Sequence, residues 1–489
     1  MTAPTKPLST RALTNAASQI GGRIFLSGLR FIVMLIVVKH AGVAVFGEFA
    51  LILTLVLFSE VLADFGMNDV AVREVGRDPG LRGGVLGGLI IAKGLLVLLA
   101  STAVIGGLIA LRYPRSIVEG AVAVLPAIAC YGGVLLFRLG LKGKLRMEKE
   151  VAAESISVIA SLPAYLLVAH PGVPLYALTA CHSLSRLVFL CVLVITCWDE
   201  VRLPDFKAAW GEARHLGMLA YPIGIALLVA CSYDGLDLIM LSKLRTARDV
   251  GLYSGSMRFV QLSVMLIYPI ADTAFPMLVS RWHVSRQSFQ DALRTTFRIS
   301  AFLAGGALCV LSAAAGFLLH SVSREMLDAQ SVLQVLALVA FGRALMTIMQ
   351  PLLIVSNGVK HALWLTAVGI TLKMILLLNL VPVHGAMGAA ITNVIVETVS
   401  IILATAVVQA LIGFQLNWGV MWIVVPAAAF SLGAVYLAGL WGSLTGGLCA
   451  GALYSAITLS AGVVPPKQLF DTIRAVRQRM SNAPAPMPV

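Results

Sequence analysis

Five polar residues near the start of the chain, Asn15, Gln19, Arg23, Ser27 and Arg30, are spaced by four, four, four and three within an otherwise apolar stretch. At about 100° per residue, a helix gathers all five on one face. The segment behind them, Phe31 to Val38, is apolar throughout. An arginine at mid-membrane depth costs about 3 kcal/mol on insertion scales and normally faces a bundle interior or a hydrated cavity. Five more cations stand inside apolar runs: Lys93, Arg186, Arg258, Arg343 and Lys373. Arginine forks onto phosphate oxygens, so an excess of such charge suits a pyrophosphate. The candidate contacts for it are Arg23, Arg30, Arg186, Arg343 and Lys373, lining a cationic cavity. Acids at comparable positions are Glu60, Asp234, Asp237, Asp272 and Glu397. A carboxylate in an apolar setting can take up and release a proton as its surroundings change. Asp237 and Glu397 are therefore the candidates for ion coupling. The competing reading pairs these same acids with buried cations such as Lys373.

The elements that must position these charges are membrane-spanning helices. The 489 residues are 59% hydrophobic and 12% charged, with a mean hydropathy of +0.93. Soluble domains carry about twice that share of charge. Windows of about 19 residues give fourteen spans. They lie near 15–39, 45–66, 84–111, 117–139, 150–169, 174–197, 213–243, 251–277, 296–320, 329–355, 361–381, 385–413, 417–439 and 441–463. The expected fold is all-α and integral to the membrane. It has two six-helix lobes around a central cavity and two extra C-terminal helices. The corresponding segments are a tail at 1–14, an N-lobe at 15–205, a C-lobe at 206–413, the last two spans within 414–464 and a tail at 465–489. In that last tail, Leu469, Ile473, Val476 and Met480 share one face of a short interfacial helix, followed by a Pro-rich end.

Charge placement sets the orientation. The N-terminal tail, every second connection and the C-terminal tail hold 22 of the 36 Lys and Arg, whereas the opposite connections hold seven. The positive-inside rule places both termini in the cytoplasm, which requires an even number of spans. Met1 to Thr14 lacks the short apolar core and small-residue cleavage site of a removable signal. The net charge of +13 is explained by basic loops beside an anionic leaflet and calls for no nucleic acid.

Other chemistries find little support. The seven cysteines lie in or beside apolar runs without a CxxC pair, so a disulfide framework is not expected. No GxxxxGK[ST] loop is present to hold a nucleotide. The histidines show no metal-ligand spacing, and no nucleophile motif assembles. Neither a cofactor nor enzymatic turnover is expected. Pro222, Pro269, Pro276 and Pro351, with Gly pairs at 21–22, 132–133 and 305–306, permit kinks and close helix packing.

An internal repeat is visible. Lys39, Gly47 and Phe49 precede Lys243, Gly251 and Tyr253 by 204 residues, and in both places a span ends at the lysine before a short loop opens the next helix. Six spans separate the copies, as a parallel repeat requires. Transporters bind substrate near mid-membrane between such repeats.

Three stretches, Val45–Arg77, Asp237–Leu262 and Asn357–Thr398, carry a family likeness. The third includes Lys373, Pro382, Gly385 and a Gly-Ala-Ala run. The chain resembles the bacterial polysaccharide flippases (O-antigen/exopolysaccharide, Wzx-type) of the multidrug/oligosaccharidyl-lipid/polysaccharide (MOP) exporter superfamily. That resemblance implies alternating access and translocation of an undecaprenyl-type pyrophosphate oligosaccharide from the cytoplasmic to the periplasmic leaflet of the inner membrane. It also implies work beside a polysaccharide polymerase and chain-length complex. Three alternatives stand beside it. A MATE-like cation or drug antiporter should have an acidic, aromatic cavity. A lipid II flippase would carry the same head-group chemistry. A membrane glycosyltransferase or polymerase commonly needs a sizeable periplasmic loop, and every loop here is short.

Overall fold

In the computed structural model, the described residues are 8–201, 204–268, 278, 285–355, 359–413 and 418–464. Lys6, Pro269, Asp272, Pro276, Arg281 and the amphipathic tail lie outside them, as do the side chains of Asn15, Gln19 and Pro351. Apolar runs of 17 residues or more become helices because only a helix satisfies every backbone N–H and C=O within lipid. In chain order these are α1 (Leu8–Ala41), α2 (Val43–Asp64), α3 (Met67–Arg77), α4 (Arg82–Ala110), α5 (Arg115–Gly143), α6 (Met147–Val168), α7 (Leu175–Cys197) and α8 (Ala209–Leu244). There follow α9 (Ala247–Met265), α10 (Arg286–Ala313), the short α11 (Ala315–Val322), α12 (Gln330–Val355), α13 (Val359–Ile412), α14 (Met421–Leu437) and α15 (Leu444–Ser460). No strand occurs among the described residues.

Among the described residues, eleven helical segments are long and apolar enough to cross a membrane. One of them, Lys360–Leu411, is two spans joined across a break at Gly385. That break, the apolar α15 and the 19-residue α9 restore fourteen spans. α9 is less apolar than the other spans because it opens on Arg248 and Asp249 and carries Arg258. Its start is fixed by a capping box: Thr246 Oγ1 accepts from Asp249 N, and the Asp249 carboxylate accepts from Thr246 N.

The described residues form two compact units, 8–235 and 236–464, which divide within α8. In the first, α5 packs on α7 and α4, α6 lies on α1 and α7, and α2 joins α4 and α5. Its interior is apolar around Val134, Phe137, Leu141, Phe189 and Leu193. A second cluster packs Met67, Leu86, Leu89 and Leu216 between α3, α4 and α8. In the second unit, α10 contacts α12, α14 and α15, while α12 contacts α13 and α9.

Two glycines in the second unit are required by geometry. Gly385 sits at φ 55°, ψ −131°, where a side chain is strained, and it turns α13. Arg245 donates to the Val381 and Val383 carbonyls beside this turn, at 3.0 and 2.7 Å. Gly305 lets α10 approach α15, since a Cβ there would lie 2.3 Å from Tyr454 Oη.

Candidate functional site

The charges inside the helices fall into a few clusters, each within one unit. The first is built on α1, α2, α5, α6 and α7. Arg30 Nη2 donates to Glu154 Oε1 at 2.5 Å, and the same oxygen lies 3.4 Å from Arg186 Nη1. Arg186 Nη2 reaches Glu60 Oε1 from the other side. Tyr131 lies between two guanidinium groups, with Arg186 Cζ 5.0 Å and Arg138 Cζ 5.4 Å from its ring centroid. Arg138 in turn is held by Glu150 at 2.6 Å. The elements explain the meeting. Glu150 and Glu154 are one turn apart on α6, so they present two carboxylates along one face. Arg186 is fixed by the packing of α7 against α5 and α6.

Exposure separates the members of this cluster. The Arg186 and Glu60 side chains are largely buried, while the Arg30 side chain is 52% exposed. Arg23 is exposed and makes no ion pair among the described residues, and Ser27 is half-buried. Arg23 and Arg30 thus present guanidinium donors outward from α1, and Arg30 is steadied from behind by Glu154. An oxyanion arriving there would compete with Glu154 for Arg30 through charge-assisted hydrogen bonds.

The second cluster lies in the other unit. Lys373 Nζ is 2.6 Å from Asp237 Oδ1, and the two side chains are 0% and 1% exposed. Tyr253 Oη donates to Asp237 Oδ2 at 2.6 Å, and Asn393 Nδ2 donates to the same oxygen at 2.9 Å. Four helical segments therefore converge: α8, α9 and both halves of α13. One turn beyond Asn393, Glu397 accepts from Arg343 Nε at 3.2 Å. A further pair in the first unit joins buried Lys93 to Asp64 at 3.1 Å, and Arg258 donates to Gln261 at 3.1 Å.

Of the five cations expected to bind an anion, Arg30, Arg186, Arg343 and Lys373 each face a carboxylate, and Arg23 stands apart from them. Asp237 and Glu397, the candidates for ion coupling, each hold one of those cations. Glu150, Glu154, Tyr131 and His182 were not singled out from sequence. Glu154 and Glu150 both fall in the span expected at 150–169, and that i, i+4 carboxylate pair was the available signal. His182 is one turn before Arg186 on α7, with a buried Nε2 that has no hydrogen-bond partner among the described residues. No group of three or more His, Cys, Asp or Glu among the described residues could hold a metal.

A family model described as "Polysaccharide biosynthesis protein" matches residues 12–282, more than half of the chain. The probable flippase AglR of Haloferax volcanii is 26% identical over 413 residues, which cover 80% of this chain and 82% of that protein. The lipid II flippase MurJ in an inward closed conformation superposes with a TM-score of 0.77 at 13% identity, covering 93% of this chain and 99% of MurJ. An inward-facing MATE multidrug resistance transporter of the MOP superfamily gives 0.61 at 13% identity, covering 81% and 95%. At such identity these two likenesses establish the fold.

Proposed function

This chain belongs to the polysaccharide biosynthesis protein family, and we propose that it is a flippase for a lipid-linked oligosaccharide. The cargo in this reading is an undecaprenyl-type pyrophosphate carrying a sugar repeat unit of an O-antigen or exopolysaccharide. It moves from the cytoplasmic to the periplasmic leaflet of the bacterial inner membrane, with both termini of the carrier in the cytoplasm. The family, the similarity to a protein named a probable flippase, and a fold shared with a lipid II flippase all support transport rather than enzymatic turnover.

The observation that carries the cargo assignment is the half-exposed Arg30 guanidinium, held at one edge by Glu154 and preceded along α1 by exposed Arg23. A small-cation antiporter would have no use for outward-facing arginines, whereas a pyrophosphate binds them well. In the proposed cycle the head group enters a cationic cavity and takes Arg23 and Arg30 as direct contacts. Glu154 then shifts its weight to Arg186, which keeps Glu60 as its second partner. Alternating access carries the head group across while the polyprenyl chain stays in lipid. Arg343 and Lys373 begin the cycle bound to Glu397 and Asp237, so ion coupling through either acid would start by parting such a pair. After release, the product would pass to a polymerase and chain-length complex.

Binding of a labelled polyprenyl-pyrophosphate oligosaccharide to detergent-purified protein tests the head-group contact. Arg30→Ala should weaken binding about tenfold or more, the equivalent of one charged hydrogen bond, and Arg30→Lys should recover part of it. Equal affinity in all three proteins would remove Arg30 from the site. Lipid II as a second probe separates a general pyrophosphate carrier from one selective for its sugar.

A further inference from the structure

Glu154 Oε1 lies 2.5 Å from Arg30 Nη2 and 3.4 Å from Arg186 Nη1, so one carboxylate oxygen stands between two guanidinium groups and is committed to only one of them. Among the described residues Arg30 has no other ion-pair partner, and its side chain is half-exposed. Arg186 is its opposite. Its side chain is 11% exposed, faces the Tyr131 ring at 5.0 Å and is anchored on Glu60 through Nη2. Yet its donors are not exhausted. Nη1 makes only the long contact to Glu154, and Nε is buried with no hydrogen-bond partner among the described residues. One guanidinium is thus reachable and held by a single acid, while the one behind it is out of reach and has donors to spare. A small rotation of the Glu154 side chain moves its carboxylate from the first to the second.

Building on the proposed pyrophosphate cargo, we infer that Glu154 is an exchange ligand: the chain's own anion holds the cargo's place on Arg30, retreats to Arg186 when the pyrophosphate arrives, and returns to displace it. An arginine inside an apolar helix is costly without a counter-charge, and Glu154 supplies one while the carrier is empty. Binding then swaps one anion for another at Arg30 and creates no new charge pair there, which lowers affinity and speeds release. Release matters because affinity for the bound ground state does nothing for turnover, and departure of product sets the pace of many cycles. Glu154 acts through Arg30, as a positioning residue, and needs no contact with the cargo.

Two variants test this in opposite directions. Affinity is read from binding of labelled undecaprenyl pyrophosphate to the purified full-length chain in detergent. KM and maximal rate are read from transfer of a labelled polyprenyl-pyrophosphate oligosaccharide in proteoliposomes. Glu154→Gln keeps the shape and an oxygen for Arg30 but no longer competes as an anion. It should bind about tenfold tighter, the equivalent of one charged hydrogen bond, and its KM and maximal rate should both fall. Glu154→Asp, which keeps the charge, should restore part of the wild-type values. Glu60→Gln/Arg186→Gln removes the buried pair together, strands no charge and deprives Glu154 of its retreat. It should bind about tenfold weaker. A monodisperse Glu154→Gln protein that binds as wild type does, or more weakly, would overturn the inference. So would a Glu60→Gln/Arg186→Gln protein with unchanged or tighter binding, and that variant decides alone if Glu154→Gln does not fold. Wild type that binds no undecaprenyl pyrophosphate would bring down the cargo reading and this inference with it. Binding by wild type with unmoved variants would overturn this inference only.

Discussion

Replacing Asp237 with asparagine isolates the electrostatic part of the second-unit cluster. The side chain keeps its shape, and an amide oxygen can still accept from Tyr253 Oη or Asn393 Nδ2. What disappears is the charge 2.6 Å from Lys373 Nζ, in a setting where neither side chain is more than 1% exposed. Two magnitudes compete. Polar contacts between membrane helices average only about 0.6 kcal/mol, because the unfolded chain in lipid also finds partners. Removing one member of a fully buried ion pair costs about 3–5 kcal/mol, because it strands the other charge. Complete burial of Lys373 selects the second figure. Asp237→Asn should therefore lose about 3–5 kcal/mol in reversible unfolding, for example by SDS titration in mixed micelles. Asp237→Asn/Lys373→Met should return to within about 1 kcal/mol of wild type, since neutral isosteres often replace such pairs at little cost. A single variant within about 1 kcal/mol of wild type, or a double variant as unstable as the single, would refute the argument.

Two further outcomes follow from backbone and packing. Gly305→Ala places a methyl 2.3 Å from the hydroxyl of fully buried Tyr454, whose ring stacks on Phe302. It should cost about 1–3 kcal/mol of stability, and Tyr454→Phe in the same chain should recover part of that in the same unfolding assay. Gly385→Ala forces a side chain into φ 55°, ψ −131° and should cost about 1–3 kcal/mol, seen as a lower melting temperature with the protein still monodisperse.

Much of this architecture is legible in the sequence because lipid leaves a chain few options. Long apolar runs must be helices, so the segments expected near 45–66, 174–197 and 417–439 are close to α2, α7 and α14. The span expected near 251–277 overlaps α9, whose composition is only weakly apolar, and Gly251 and Tyr253 at its start match Gly47 and Phe49 in the repeat. The site was legible by residue type and not by partnership. Lys373, Asp237, Arg343 and Glu397 stand out as charges in apolar runs, and Lys373 was the partner weighed for the acids. Choosing among pairings needs the packing of α8 and α9 against α13, and nothing local encodes it. Glu154 went unnoticed because it follows the basic loop at 142–149, where an acid resembles a solvated cap. Only the packing of α6 on α1 brings it to Arg30, 124 residues away in sequence. The break at Gly385 falls at the edge of the gap expected between the spans near 361–381 and 385–413.

The central claim is that this chain moves a pyrophosphate-linked oligosaccharide between leaflets by way of the arginines of α1. Its most direct test is leaflet transfer of a labelled polyprenyl-pyrophosphate oligosaccharide in proteoliposomes, comparing wild type with Arg23→Ala/Arg30→Ala at matched insertion. Transfer by wild type and its loss in the double variant is the predicted result. No transfer by correctly inserted wild type, across several sugar repeats and imposed ion gradients, would contradict the function. Undiminished transfer by the double variant would contradict the assigned site.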